Sequence, residues 1–266
     1  PLRLASTASS PALSNTTQLD AVSGAFSLVL PGTSPSGSAG IAGAFSVNVV
    51  GGSTEALVQQ VALLNAGLLA VDAKRSGQIR ALAAGGSANA RAGSIALAGS
   101  VAINESKHTT RAQVQGLVHV ARNGADGKPI DEQTVGGALT IHADNTTGLQ
   151  TLAGAVAAGG RGVGAAVAFN DIDNTVHASL GDSKQLRVGG DLAVTATGTN
   201  TIDSIGGALS FSETLGASGI VSVNQIAGTV KAEVNKGGDD VDAQNKVTAG
   251  GKVTVEAQHT PTINAT

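Results

Sequence analysis

The sequence predicts an all-β fold, a parallel β-solenoid of the right-handed β-helix type. Three observations predict it: a tandem repeat with fixed internal spacing, an apolar period of two, and a supply of core residues that is almost wholly small and aliphatic.

The repeat is set by four asparagines, Asn48, Asn104, Asn170 and Asn224, which end the runs GAFSVN, GSVAIN, AAVAFN and GIVSVN. Eight residues after each comes Ala56, Ala112, Ala178 or Ala232, and two further on Val58, Val114, Leu180 or Val234. A second block reads GLLAVDA (67–73), GALTIHA (137–143), GDLAVTA (190–196) and GKVTVEA (251–257). Its leading glycines, Gly67, Gly137, Gly190 and Gly251, delimit units of 70, 53 and 61 residues. The chain therefore divides into 1–66, 67–136, 137–189, 190–250 and the start of a further unit at 251–266, read together as a single solenoid segment of a longer array. Length varies at 31–38, 123–133 and 235–245, all rich in Gly, Ser, Asp, Asn or Pro, as expected of loops on a regular core.

The strands follow from alternation. Leu192, Val194 and Ala196 oppose Asp191, Ala193 and Thr195, and Val230, Ala232 and Val234 oppose Thr229, Lys231 and Glu233. That is one buried and one open face per strand. The segment STEALVQQVALLNAG (53–67) comes closest to a helical period, with Ser53 or Thr54 as N-cap, but its equivalents in the other units read as strand.

The inward residues are expected to be Ala, Val, Ile and Leu, with four phenylalanines (26, 45, 169 and 211); Trp, Tyr, Met and Cys are absent. A narrow bore stacked from small aliphatics needs no aromatics but many corners, and glycine, 37 of 266 residues, is about twice its usual ~7%. With a coil of ~20–25 residues, each unit should make two or three coils. The recurrent Asn fits a stacked amide ladder, as in cross-β assemblies, or a simple turn at a strand end. A hairpin at Asn170–Asn174 is the rival that would make the units antiparallel.

Net charge is −3, only 13% of residues are charged, and no basic cluster or aromatic platform exists for nucleic acid. The apolar stretch 151–169 holds five glycines and Arg161, which argues against a membrane helix. A chain without Trp or Tyr also lacks the girdles of a membrane barrel.

Candidate sites are few. Asp239, Asp240 and Asp242 on a Gly-rich loop offer oxygen ligands for Ca²⁺, although neither the β-roll nonapeptide nor an EF-hand pattern is present. Asp171 and Asp173 share one face if extended. The five histidines (108, 119, 142, 177 and 259) show no metal-binding spacing, and His142 and His177 fall at outward positions. Thr195, Thr197, Thr199 and Thr201 alternate as a hydroxyl row in one unit only. No nucleophile elbow, P-loop or dinucleotide motif is found, so neither an enzyme nor an organic cofactor is expected.

The motif VGAAVAFNDIDNTVHASL (163–180), followed by VGGDLAVTA (188–196), resembles the repeats of large Gram-negative exoproteins: filamentous haemagglutinins, leukotoxin-like filamentous adhesins and biofilm matrix adhesins. The resemblance spans all the units. It implies a β-helical stalk at the bacterial surface, exported by two-partner secretion through an outer-membrane partner. The parent chain would attach to a host or bacterial glycan or protein, or to biofilm matrix. Alternatives are a glycan-binding or polysaccharide-processing β-helix, with a cleft at 123–133 or 235–245, and the shaft of a contact-dependent toxin.

Overall fold

A computed structural model describes residues 2–6, 11–30, 38–59, 61–90, 93–117, 133–183, 186–234 and 246–266. The described residues are all-β, with no helix. They form β1 (Leu2–Ser6), β2 (Ala12–Val29), β3 (Ala39–Gln59), β4 (Val61–Ala66), β5 (Leu69–Asn89), β6 (Ile95–Leu117), β7 (Gln133–Val135), β8 (Leu139–Ser183), β9 (Leu186–Val188), β10 (Leu192–Val234), β11 (Val247–Ala249) and β12 (Val253–Ala265). The helix-like stretch from Ser53 is extended: it runs through the end of β3 and into β4.

Every strand pairing among the described residues is parallel. The short strands stack in the order β1-β4-β7-β9-β11 and the long ones in the order β12-β10-β8-β5-β2, with β6 joining β3 to β8. The Asn170–Asn174 segment pairs in parallel with Asn224–Gly228, so no hairpin forms there.

The register repeats the sequence alignment residue for residue. Leu69 pairs with Leu139, Leu139 with Leu192 and Leu192 with Val253. The shift from partner to partner equals one repeat unit. Each unit thus adds one layer of strand to the sheets, not two or three. The generic coil length fails here because the chain travels much farther before it returns to its starting edge.

β8 shows how. A straight strand of 45 residues would reach about 150 Å. Instead, Thr151 Oγ1 donates to Asn170 Oδ1 at 2.5 Å. β8 therefore doubles back around Gly159–Gly162, and its two limbs face each other. The first limb's inward residues run Leu139, Ile141, Ala143, Asn145, Thr147, Leu149, Thr151, Ala153, Ala155, Ala157. The second limb's run Ala166, Ala168, Asn170, Ile172, Asn174, Val176, Ala178, Leu180. Read from opposite ends, the two lists match in character, layer for layer.

This mirror order divides the interior into compartments. The base holds Leu69, Val71, Leu139, Ile141, Val114, Val176, Leu180, Leu192 and Val194, closed by Ala66, Val135, Leu186 and Val188 of the short strands. Ile79, Leu149, Ile172 and Ile202 fill the middle. Beyond them the apolar contacts between the limbs are made by alanines, Ala153 with Ala166 and Ala168, and Ala96 and Ala98 with Ala155 and Ala157, among buried Ser46, Ser87 and Ser100. In this outer part the limbs are very close. A Cβ on Gly85 would lie 2.1 Å from the Gly99 carbonyl oxygen on the facing limb. Only glycine fits.

Candidate functional site

Two features stand out: the polar layers that separate the apolar compartments, and the outer faces of the alanine-lined limbs.

The outer polar layer is the Asn ladder. Asn48 Nδ2 donates to Asn104 Oδ1 (2.7 Å), Asn104 to Asn170 (2.8 Å) and Asn170 to Asn224 (2.7 Å). Asn48, Asn104 and Asn170 are buried. The side chains sit mid-strand and point inward, so the turn-forming alternative does not apply. Thr151 ties the ladder to the opposite limb, accepting from Asn104 at 2.8 Å and donating to Asn170.

The inner polar layer is more irregular. Thr147 Oγ1 uses its full capacity: it accepts from Arg75 Nη1 (2.7 Å) and Asn174 Nδ2 (2.9 Å) and donates to Asn145 Oδ1 (2.9 Å). Asn174 also donates to Asn200 Oδ1 at 3.1 Å and accepts from the His108 backbone N–H at 3.0 Å. His108 Nε2 lies 3.0 Å from Thr54 Oγ1. Burial first, and then the charge of Arg75, hold the His108 imidazole well below its ordinary 6.5, at about 4.

This depressed value makes a prediction. Between about 4 and 6.5 the unfolded chain binds a proton that the folded chain refuses, so stability falls as pH drops through that window. The expected loss is on the order of 2 kcal/mol, read by urea unfolding at stepped pH and abolished in His108→Gln. Asp171 works in the opposite sense. Its carboxyl is pushed up by burial and by the neighbouring Glu105 and Asp173, so its protonation at low pH favours the folded state, and the His108 variant separates the two.

The outer faces reverse the expectation for the phenylalanines. Phe26, Phe45, Phe169 and Phe211 are 71%, 64%, 39% and 59% exposed. Each has the opposite parity to the inward residues of its limb. The first limbs present a row of large side chains, Val22, Leu82, Leu152 and Ile205, next to a row of small ones, Gly24, Ala84, Gly154 and Gly207. The second limbs do the same, with Ile41, Leu97, Val163 and Ala217 beside Gly43, Gly99, Ala165 and Gly219. These are apolar ridges beside shallow grooves, running across the units. Beside the first ridge a recess of about 490 Å³ is lined by Val22, Leu82, Leu152 and Ile205 and edged by Asp20, Arg80 and Asp203. Its surface is mainly aliphatic.

The residues singled out in the sequence are placed as follows. Gly67, Gly137, Gly190 and Gly251 form a stacked turn, in which Gly137 N donates to Gly67 O (2.6 Å), Gly190 N to Gly137 O (2.8 Å) and Gly251 N to Gly190 O (2.9 Å). Asp171 and Asp173 do share the outward face, and Lys107 pairs with Asp173 at 3.3 Å. His142 bonds Thr195 at 2.8 Å, and His177 faces Glu233 at 3.6 Å. The row Thr195–Thr201 pairs with His142, Asp144, Thr146 and Gly148 in the preceding unit and with Glu256, Gln258, Thr260 and Thr262 in the following one, so a hydroxyl recurs through the stack only in the column of Thr16, Ser76, Thr146, Thr199 and Thr260. Asp239, Asp240, Asp242 and His119 lie outside the described residues. Among the described residues, no group of three or more His, Cys, Asp or Glu is placed to hold a metal ion.

Sequence inspection missed the buried Arg75 and the inward His108. The signal was available for Arg75, which shares parity with Val71, Ala73 and Ile79. Compared with protein-family models, curated proteins and solved structures, the chain matches none.

Proposed function

We propose that this chain is a structural segment of a bacterial surface or secreted filamentous adhesin, and that its parallel layers wind as a right-handed β-solenoid. Its role is mechanical: to project and hold a binding region, and to support attachment to cells, surfaces or matrix. The single observation that carries this reading is the register, in which each unit pairs with the next by a shift of one whole repeat. An array of this kind adds stability and length unit by unit. It needs no catalytic centre. Adhesion, surface location and export through an outer-membrane partner rest on the motif resemblance at 163–180 and 188–196.

The aliphatic character of the outer faces suits contact with protein; the stretches 123–133 and 235–245, where the glycan-binding alternative has its cleft, lie outside the described residues except for Gln133. An antibody raised against residues 137–250 tests the proposal. It should label intact, unpermeabilised cells that express the parent chain, and deletion of the units should reduce attachment in a flow assay. Labelling only after permeabilisation, with attachment unchanged, would refute it.

A further inference from the structure

The inner polar layer contains a full positive charge with nothing to balance it. Arg75 is 1% exposed. Its one hydrogen-bond partner among the described residues is the neutral Thr147 hydroxyl. Among the described residues, no carboxylate lies within ion-pair distance of it. Its Nε–H is buried without a protein acceptor, as is the Nδ1 of His108. The other side chains of the layer, Asn145, Thr147, Asn174, Thr54 and Thr110, are neutral. A guanidinium stays charged at any ordinary pH, and a buried charge without a counter-charge costs several kcal/mol.

The surroundings make room for this arginine. In the next unit the same register positions hold Asn145 and Thr147; here they hold Arg75 and Gly77. A Cβ on residue 77 would lie 2.6–2.8 Å from the guanidinium atoms. The pair Asn–Thr has thus been exchanged for a long cation and the gap it fills. Exchange of this kind builds a site in one unit and leaves its neighbours as plain ladder.

We propose that Arg75 and His108 form an internal anion site that takes one small monovalent anion, of which chloride is the simplest. The anion accepts from Arg75 Nε–H and from the Nδ1–H tautomer of His108, whose Nε2 is then free to accept from Thr54. One negative charge neutralises the layer, whereas a water would satisfy the donors and leave the charge. The inference stands whether or not the segment serves as a stalk.

Two experiments decide it. Crystals of the unaltered segment grown in sodium bromide, measured at the bromine edge, should show an anomalous peak within about 3.5 Å of Arg75 Nε. Water there, with bromide found only at the surface, would overturn the proposal. Thermal unfolding should show a midpoint higher by about 2–4 °C in chloride or bromide than in gluconate at equal ionic strength. The double variant Arg75→Asn, Gly77→Thr, which copies the neighbouring unit, should lose that difference. An equal anion dependence in the variant would place the effect elsewhere and refute the site. Should the variant not fold, the anomalous measurement on the unaltered chain decides alone.

Discussion

Replacing Asn170 by Leu should destabilise the segment by about 3–5 kcal/mol, the largest effect expected from any single polar side chain here. Asn170 accepts from Asn104 and Thr151 and donates to Asn224. Its removal ends three hydrogen bonds inside the fold. It also strands the buried Thr151 hydroxyl proton, a loss of about 1–3 kcal/mol, and the partly buried Asn224 carbonyl oxygen. The leucine cannot simply fill the space, because the layer on one side is Ile172 and on the other only Ala168 and the facing limb. The effect should be graded along the ladder. Asn48 bonds only Asn104 and Ser46, so Asn48→Leu should cost about half as much. The chain has no Trp or Tyr, so far-UV circular dichroism in urea is the appropriate readout. Equal costs at the two positions would mean that the ladder does not act as a connected unit.

The second large effect is expected at the stacked glycine turn. In Gly189→Val the new Cβ would sit 2.1 Å from the Gly136 carbonyl oxygen. That oxygen belongs to backbone held by the parallel ladder, where Gly136 N donates to Ala66 O at 2.7 Å and Gly189 N to Val135 O at 2.7 Å. Overpacking against flexible side chains costs about 1–3 kcal/mol, and backbone yields less readily, so a loss of at least about 3 kcal/mol is expected. Gly43→Ala and Gly219→Ala are the controls. Both lie in the outward small row, and a Cβ there meets nothing within 4 Å. They should be neutral or stabilising by about 0.5 kcal/mol, through reduced freedom of the unfolded chain. Similar losses at Gly189 and Gly43 would show that the close approach of the turns is not real.

The contrast between these positions explains how much of the fold could be read in advance. A parallel stack places like on like, so aligning the units also aligns the register: Leu139, Leu192 and Val253 lie in one row because they lie in one column of the repeat. The Asn and Gly ladders were visible for the same reason. The number of layers per unit was not, because nothing local in the sequence reports how far the chain travels before closing a circuit. The phase of the outer limbs was misjudged for a different reason. Hydrophobicity assigns Val163, Val167 and Phe169 to the inside, yet two limbs in close contact have room mainly for Ala, Gly and Ser, and the larger apolar side chains are forced outward. Counting parity back from Ala178 through Val176, Ile172 and Asn170 would have exposed this. Arg75 escaped because charge is read as exposure, whereas its alternation with Ala73 and Ile79, and the glycine two residues on, mark it as internal.

One layer per unit is the claim on which the rest stands, and a distance tests it directly. Asp72, His142, Thr195 and Glu256 form one outward row through four successive units. With no native cysteine, spin labels placed by Asp72→Cys and Glu256→Cys report only on that row. Three strand spacings of about 4.8 Å put the two backbones about 15 Å apart, and double electron–electron resonance should give a narrow distribution near that value, widened by the label arms. A separation of about 30 Å or more, as two or three layers per unit require, would contradict the account.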